Sequence, residues 1–302
     1  GFREPHWENY VEKFYHHWFQ TDAALMELME ELNLRNEVEF KNPTTVMFYK
    51  GKFYPFDSIP AAILYPGLGF GINKIRFGFV GLFLKLTKNW KNLEKFTAEN
   101  WMTKFAGAAV YRSMWEPMMT GKFGEQYAHQ VNMAWLWARI YSRTNQLGTY
   151  RGGMQNFFNA FTEKLEECGV KIHFNMAVHS VVKNQNSDFL VKTTDQDCHF
   201  DRVIITTSPI SFLNLVPEIA GSYQEKLQSL RSIGAVVLIV SMRRPLSPKG
   251  YYWYNLPKNA GFPFLALVEH TNFVSPSKFN GETIIYAGDY LELDHEFFSL
   301  SD

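Results

Sequence analysis

The stretch "RVIITTSP" (202–209) sets Thr206, Thr207, Ser208 and Pro209 directly after a short apolar run. Such a run reads as a buried strand. Small hydroxyl side chains and a proline leave room at its carboxyl end, where open α/β sheets place their ligands. A second polar group ends an apolar run in "LVEHTNF" (267–273), where His270 and Asn272 are candidate ligand contacts. A strand-end turn whose side chains bond local backbone accounts for the same residues. "MAWLWARIYSR" (133–143) offers Trp135, Arg139 and Tyr141 at helical spacing, a pattern that serves a core more often than a ligand. Arg139, Arg143 and Arg151 are candidates for converging on the phosphates of a sugar nucleotide, were one the ligand. His16 and His17 are adjacent, and neighbours on a helix point about 100° apart, so they form no metal pair. No H-E-x-x-H, G-x-S-x-G or Walker pattern occurs, which leaves metal-assisted and nucleophilic hydrolysis without support. No metal is expected, and no acid–base residue stands out as catalytic.

Bulk composition narrows the setting. The chain has 302 residues, 46% of them apolar, enough for two domains or one large one with an insertion. Thirty basic and thirty acidic residues cancel without a basic cluster, so nucleic acid is not an expected partner. Two cysteines, Cys168 and Cys198, allow neither a disulfide framework nor a Cys-based zinc site, and read as reduced thiols in a cytoplasmic protein. No run of about 18 apolar residues suggests a membrane span. "IRFGFVGLFLKL" (75–86) is too short for one and reads as a partly buried helix, with peripheral membrane contact as its second reading. "GFREPHWENY" at the start and "FFSLSD" at the end both look like cuts through a longer protein.

The elements that must position these groups fall into three segments. Residues 1–149 read as mainly helical. A helix through "WENYVEKFYHHWF" and "DAALMELMEELNL" precedes a hairpin, "TTVMFYKGKFYPF", turning at Gly51-Lys52. Further helices are predicted at 72–86, 97–105 and 131–141. Residues 150–215 begin with "YRGGMQNFFNAFTEKLEECG", a helix that Gly169 closes as a left-handed cap. Strands "VKIHF", "AVHSVVK" and "FLVKTT" follow, with "NQNSD" (184–188) as a turn, and then "HFDRVIITTSP". Residues 216–302 hold a helix near "SYQEKLQSLRSI" and the apolar strands "GAVVLIVSM", "YYWYNL", "FPFLALVEH" and "ETIIYAGDYL".

This order resembles the FAD-dependent amine oxidase superfamily, which includes monoamine oxidases, protoporphyrinogen oxidases and phytoene-desaturase-like enzymes. The order is Tyr-x-Gly-Gly-Met, an amphipathic helix, "GVKIHFNMAVHSVV", a turn, then "VIITTSP". The likeness is tightest over 150–209 and continues through "LQSLRSIGAVVLIVSMRRPL". It implies an α+β fold, part of an α/β flavoprotein: a helical insertion and a mixed sheet over the substrate, plus the second part of an FAD-binding domain with its β-meander. It implies FAD as cofactor. Thr206, Thr207 and Pro209 would line it, and the backbone of Val178 would bond the adenine. His270 and Asn272 would face a small-molecule substrate. The implied activity is hydride transfer to flavin from a C–N or C–C bond of an organic substrate. Two alternatives stay open: a flavin-dependent isomerase resembling UDP-galactopyranose mutase, and a non-catalytic module that has lost the cofactor.

One departure tempers the resemblance. The family's G-x-G-x-x-G unit has no match here. "GLGFG" (67–71) has the wrong spacing, follows Tyr-Pro rather than a strand, and reads as a loop. Without that phosphate cradle, the chain by itself is expected to bind FAD weakly or not at all. "IIYAGDY" (284–290) imitates a flavin-contacting element, but "LELDHEFF" follows where small residues should, so it reads as a substrate-domain strand.

Overall fold

A computed structural model describes residues 1–185 and 188–300. The chain folds as two compact units, Gly1–Lys164 with Gly234–Asp302, and Leu165–Ile233. The turn expected at 184–188 lies partly outside the described residues.

The larger unit is built on a six-stranded mixed sheet. Its order is Lys52–Pro55, Thr44–Tyr49, Tyr251–Asn255, Ala266–Glu269, Thr283–Leu291 and Gly234–Met242. Only Thr44–Tyr49 and Tyr251–Asn255 run parallel, pairing residues some 200 positions apart in the chain. The apolar character of Thr283–Leu291 follows from its place between Ala266–Glu269 and Gly234–Met242, with residues 283 to 286 buried. "IIYAGDY" is therefore an interior strand of this sheet, and Asp289 pairs with Lys258 at 3.2 Å. The expected hairpin forms, but its turn falls one residue early. Tyr49 faces Lys52, and Lys50 and Gly51 take φ of 48° and 79°. Two successive positive φ angles are what a tight hairpin needs to match strand twist, and Gly51 supplies one without steric cost.

Helices cover the segment between Ile59 and Ser142. Ile72–Leu86 and Ala98–Phe105 form as the apolar spacing predicts, the second capped by Thr97, whose side chain accepts from the Asn100 amide. Met133–Ser142 is capped the same way by Asn132. Their inward faces meet in a core that includes Leu84, Met102, Met119, Met133 and Leu136.

The N-terminal helix is shorter than its sequence suggests. It spans Ala23–Glu31 only, and residues before it are irregular apart from a short strand, Trp18–Phe19. The apolar residues of that stretch are claimed by tertiary contacts. Val11 exchanges backbone bonds with Phe2, Trp7 packs edge-on against Phe279, and Trp18 against Phe157. Glu12 is buried beside them, accepting from the Met154 amide and lying 3.4 Å from the Tyr286 hydroxyl. Helical periodicity is present there in a chain that never winds into a helix. Trp18–Phe19 and Val38–Lys41 flank Leu147–Tyr150 in a second, antiparallel sheet.

The helix Met154–Glu167 leads into the smaller unit and ends where Gly169 takes φ of 82°. The amides of Gly169 and Val170 bond the carbonyls of Glu166 and Leu165, the paired bonds of a Schellman cap. A three-stranded antiparallel meander follows: Val178–Lys183, Phe189–Thr193 and Asp197–Phe200. Two further expected strands are corrected. Neither "VKIHF" nor "RVIITT" pairs with another strand among the described residues. Their side chains are not buried either, with Phe174 71% and Ile204 89% exposed. The apolar run is that of a strand covered on both faces, but no neighbour satisfies its backbone here. Helices Pro209–Leu215 and Ser222–Gln228 complete the unit.

The fold is thus a mixture of helix with mixed and antiparallel sheet, as expected from the sequence.

Candidate functional site

Four of the sequence-derived positions lie in the smaller unit. Thr206 and Thr207 are exposed at the end of the extended segment, and no bulky side chain of their own tripeptide shields the backbone. Pro209 opens the following helix, whose cap Ser208 accepts from the Ser211 amide. Val178 begins the meander, 38% exposed, where the pairing with Phe189–Thr193 shifts register. All four therefore offer accessible backbone and small or compact side chains, suited to the close approach of a flat ligand.

His270 and Asn272, in the larger unit, are used inside the fold. His270 is buried with its ring edge-on to Phe279 and Tyr286, and burial lowers its pKa. Asn272 donates to the Tyr251 carbonyl at 2.7 Å and fixes the end of the neighbouring strand. Glu269 beside them is wholly buried, accepting from the Leu246 amide and lying 3.4 Å from the Tyr254 hydroxyl.

A different set of groups in that unit has unspent polar reach. Tyr15 meets Trp253 edge-on at 4.8 Å, and His17 meets the same indole at 6.2 Å. The buried Nδ1 of His17 has no partner among the described residues. Burial pulls the imidazole down to about 4, helped by Arg143, His16 and Arg139, so it is neutral at pH 7. Arg139 lies over the Trp135 ring at 5.6 Å. Lys122 lies over Trp135 at 5.9 Å and over Tyr290 at 4.4 Å. Arg143 is exposed in part, yet desolvation and the charge of Arg139 lower its pKa, with Asp57 opposing them. Tyr15 and His17 both feel the charge of Arg139, which relates these two groups of rings and the three cations near them. Arg151, by contrast, is engaged by Glu37 at 3.1 Å and Glu39 at 3.5 Å, away from this group.

The geometry explains how the sequence could mislead. Trp135, Arg139 and Arg143 share one face of Met133–Ser142 and its end by their i, i+4, i+8 spacing. Spacing alone cannot say whether that face meets core or open space. His17 and Trp253 become neighbours only through the tertiary fold, and no local signal marks them.

A shallow cavity of about 420 Å³ lies elsewhere on the larger unit, lined in part by Phe2, His6, Trp7, Ser241 and Glu282. Its Glu282 carboxylate is already bonded to His6, Trp7 and Ser241, and Glu4 and Arg243 also line the cavity. Among the described residues no group of three or more His, Cys, Asp or Glu side chains could hold a metal. Both cysteines are free thiols, Cys168 exposed and Cys198 partly so.

The sequence profile of the family described as "Flavin containing amine oxidoreductase" matches residues 2–288. The chain belongs to that family. A comparison with curated proteins finds no significant match. Among solved structures, a protein provisionally designated a protoporphyrinogen oxidase, from Exiguobacterium sp. 255-15, superposes with a TM-score of 0.67 at 14% identity, over 100% of this chain and 70% of that one. Cyclohexylamine oxidase from Brevibacterium oxydans IH-35A gives 0.61 at 12%, over 97% and 66%. Reduced UDP-galactopyranose mutase gives 0.62 at 12%, over 92% and 63%. At such identities these likenesses establish the fold.

The flavin amine oxidoreductase assignment brings FAD as the cofactor. The exposed end of the extended segment at Thr206 and Thr207 and the edge strand that begins at Val178 leave room for a flat dinucleotide, because nothing bulky within those residues blocks its approach. Residues 66–71 do not form a cradle for its phosphates. Pro66–Leu68 is a single 3₁₀ turn, and Gly69 and Gly71 serve as positive-φ links into the helix Ile72–Leu86.

Proposed function

We propose that this chain is part of an FAD-dependent oxidoreductase that oxidises a C–N or C–C bond of an anionic organic substrate to a double bond, the hydride leaving the C–H of that bond and the proton of the neighbouring atom going to solvent. FAD, when bound, supplies the hydride acceptor. Val178, Thr206, Thr207 and Pro209 are the residues proposed to hold it, through backbone and small side-chain contacts. The substrate is assigned to the cluster around Tyr15, His17, Trp135, Arg139, Arg143 and Trp253.

The observation that carries this reading is the unbalanced chemistry of that cluster. Arg139 and Arg143 are one helical turn apart, and neither guanidinium forms an ion pair among the described residues. Two like charges so placed repel, which is why Arg139 depresses Arg143. An anionic group between them removes the repulsion and gains charge-assisted hydrogen bonds. Tyr15, Trp135 and Trp253 supply flat apolar walls that orient the rest of the substrate and exclude water. His17, held neutral by burial, offers a hydrogen bond without adding to the positive charge.

The flavin-loaded protein tests the proposal. Anaerobic mixing with amines and their carboxylate-bearing analogues should bleach the visible flavin absorbance, faster with the carboxylates. Failure of every such compound to bleach the flavin would overturn hydride removal. A second reading, a flavin-dependent isomerase, draws on the same arginine pair and the mutase-like fold. It is supported instead if turnover requires flavin reduced beforehand and consumes no reductant.

A further inference from the structure

We propose that the helix Ile72–Leu86 and the segments beside it dock this protein on an anionic phospholipid surface. The helix has two apolar faces. Val80 and Leu84 are buried in the helical core, with Phe77 packed against it. Ile72, Ile75, Phe79, Leu82, Phe83 and Leu86 lie on the other side, each between 53% and 72% exposed. At about 100° per residue these six fall within an arc of about 100°, a continuous stripe rather than scattered singles. The preceding turns add Leu64 at 78% and Phe70 at 89% exposure. Contiguous apolar surface of this kind marks an interaction site.

Charge decides the partner. From residue 59 to residue 105 the sequence has seven Lys or Arg and two Asp or Glu, in a chain whose total is neutral. Arg76 flanks the stripe on one side; on the other, Lys74 and Lys85 donate to the carbonyls of Ile63 and of Tyr141 and Arg143, so the cations left for a lipid surface are chiefly Arg76 and those that follow the helix. Lys88, Lys91 and Lys95 follow it, all exposed, beside the part-exposed Trp90. An apolar stripe bordered by long basic side chains and an aromatic ring is the arrangement that lies in a lipid interface, with the stripe among acyl chains and the ammonium groups at phosphates. Packing this face on a second copy would oppose like charges. Spanning is not available, because among the described residues no helix is long and apolar enough to cross a membrane.

The test is flotation of the full chain with vesicles of mixed phosphatidylglycerol and phosphatidylcholine, against phosphatidylcholine alone. Binding to the mixed vesicles at low salt, weakened by salt and by omission of the anionic lipid, is expected. The paired substitution Phe79→Ser with Leu86→Ser should reduce partition by at least about tenfold by removing two membrane-buried side chains. Lys88→Glu with Lys91→Glu, at exposed positions, should reduce it by at least about thirtyfold at low salt. Both variants should melt as the parent does. The proposal is overturned if the chain does not float with anionic vesicles, or if both variants float as the parent does. It is also overturned if the parent is a stable dimer that Phe79→Ser converts to monomer, which would assign the face to a second copy.

Discussion

Replacing His17 with phenylalanine should flatten the acid limb of the larger unit's stability. In the folded protein the imidazole titrates at about 4, against an ordinary value of 6.5, with burial the main cause and Arg143, His16 and Arg139 adding to it. Above pH 6.5 both folded and unfolded chains carry it neutral, so it imposes no penalty. As pH falls from about 6.5 to about 4, the unfolded chain takes up a proton that the folded one resists, and stability drops. Below about 4 both states are protonated and the loss is complete. The two pKa values set that loss at about 3 kcal/mol, of which about 2 kcal/mol is incurred between neutral pH and pH ~4.5. Phenylalanine keeps the edge-on contacts with Phe19 and Trp253, at 5.5 Å and 6.2 Å, and has no proton to bind. Urea unfolding followed by tryptophan fluorescence is the assay, since all eight tryptophans lie in the larger unit. Carboxylate titration is common to both proteins and cancels in the comparison. The parent should lose about 2 kcal/mol more than His17→Phe between the two pH values. Equal losses would refute the burial assigned to His17 and, with it, the dry wall of the proposed substrate site.

Three other outcomes are expected. Arg143→Met should raise KM for a carboxylate-bearing substrate by about tenfold or more, with flavin content unchanged, and should move the His17 transition to higher pH. Steady-state kinetics and the unfolding assay read these separately. Thr206→Phe in the complete protein should lower the flavin-to-protein ratio while leaving the melting temperature unchanged, because Thr206 is exposed. Gly153→Ala should destabilise the larger unit by at least about 2 kcal/mol in urea. Gly153 has φ of 94°, and an added Cβ would stand 2.7 Å from the Tyr10 carbonyl oxygen, which is backbone and cannot yield.

Much of the secondary structure and the family were legible in the chain. Ile72–Leu86, Ala98–Phe105, the Gly169 cap and the four strands after residue 233 follow from periodicity and turn chemistry, which act over a few residues, although the strand expected in "FPFLALVEH" forms only over Ala266–Glu269. The order of the helix, the meander and "VIITTSP" carried the flavin amine oxidoreductase resemblance, because an ordered series of local patterns is itself a sequence property. What the sequence could not decide was burial. Residues 7–19 have helical spacing, yet fold as irregular chain ending in the short strand Trp18–Phe19, because Trp7, Val11 and Trp18 each find a separate partner far from the helical register. Residues 203–205 have the composition of a covered strand, yet Ile204 stands in solvent. His270 and Asn272 look like ligand groups at a strand end, but the packing of Phe279, Tyr286 and Tyr251 encloses or engages them. The spacing of Trp135, Arg139 and Arg143 fixed one helical face. Only the tertiary structure brought Tyr15 and His17 onto Trp253, within the electrostatic reach of Arg139, because residues far apart in the chain meet there and no local pattern relates them.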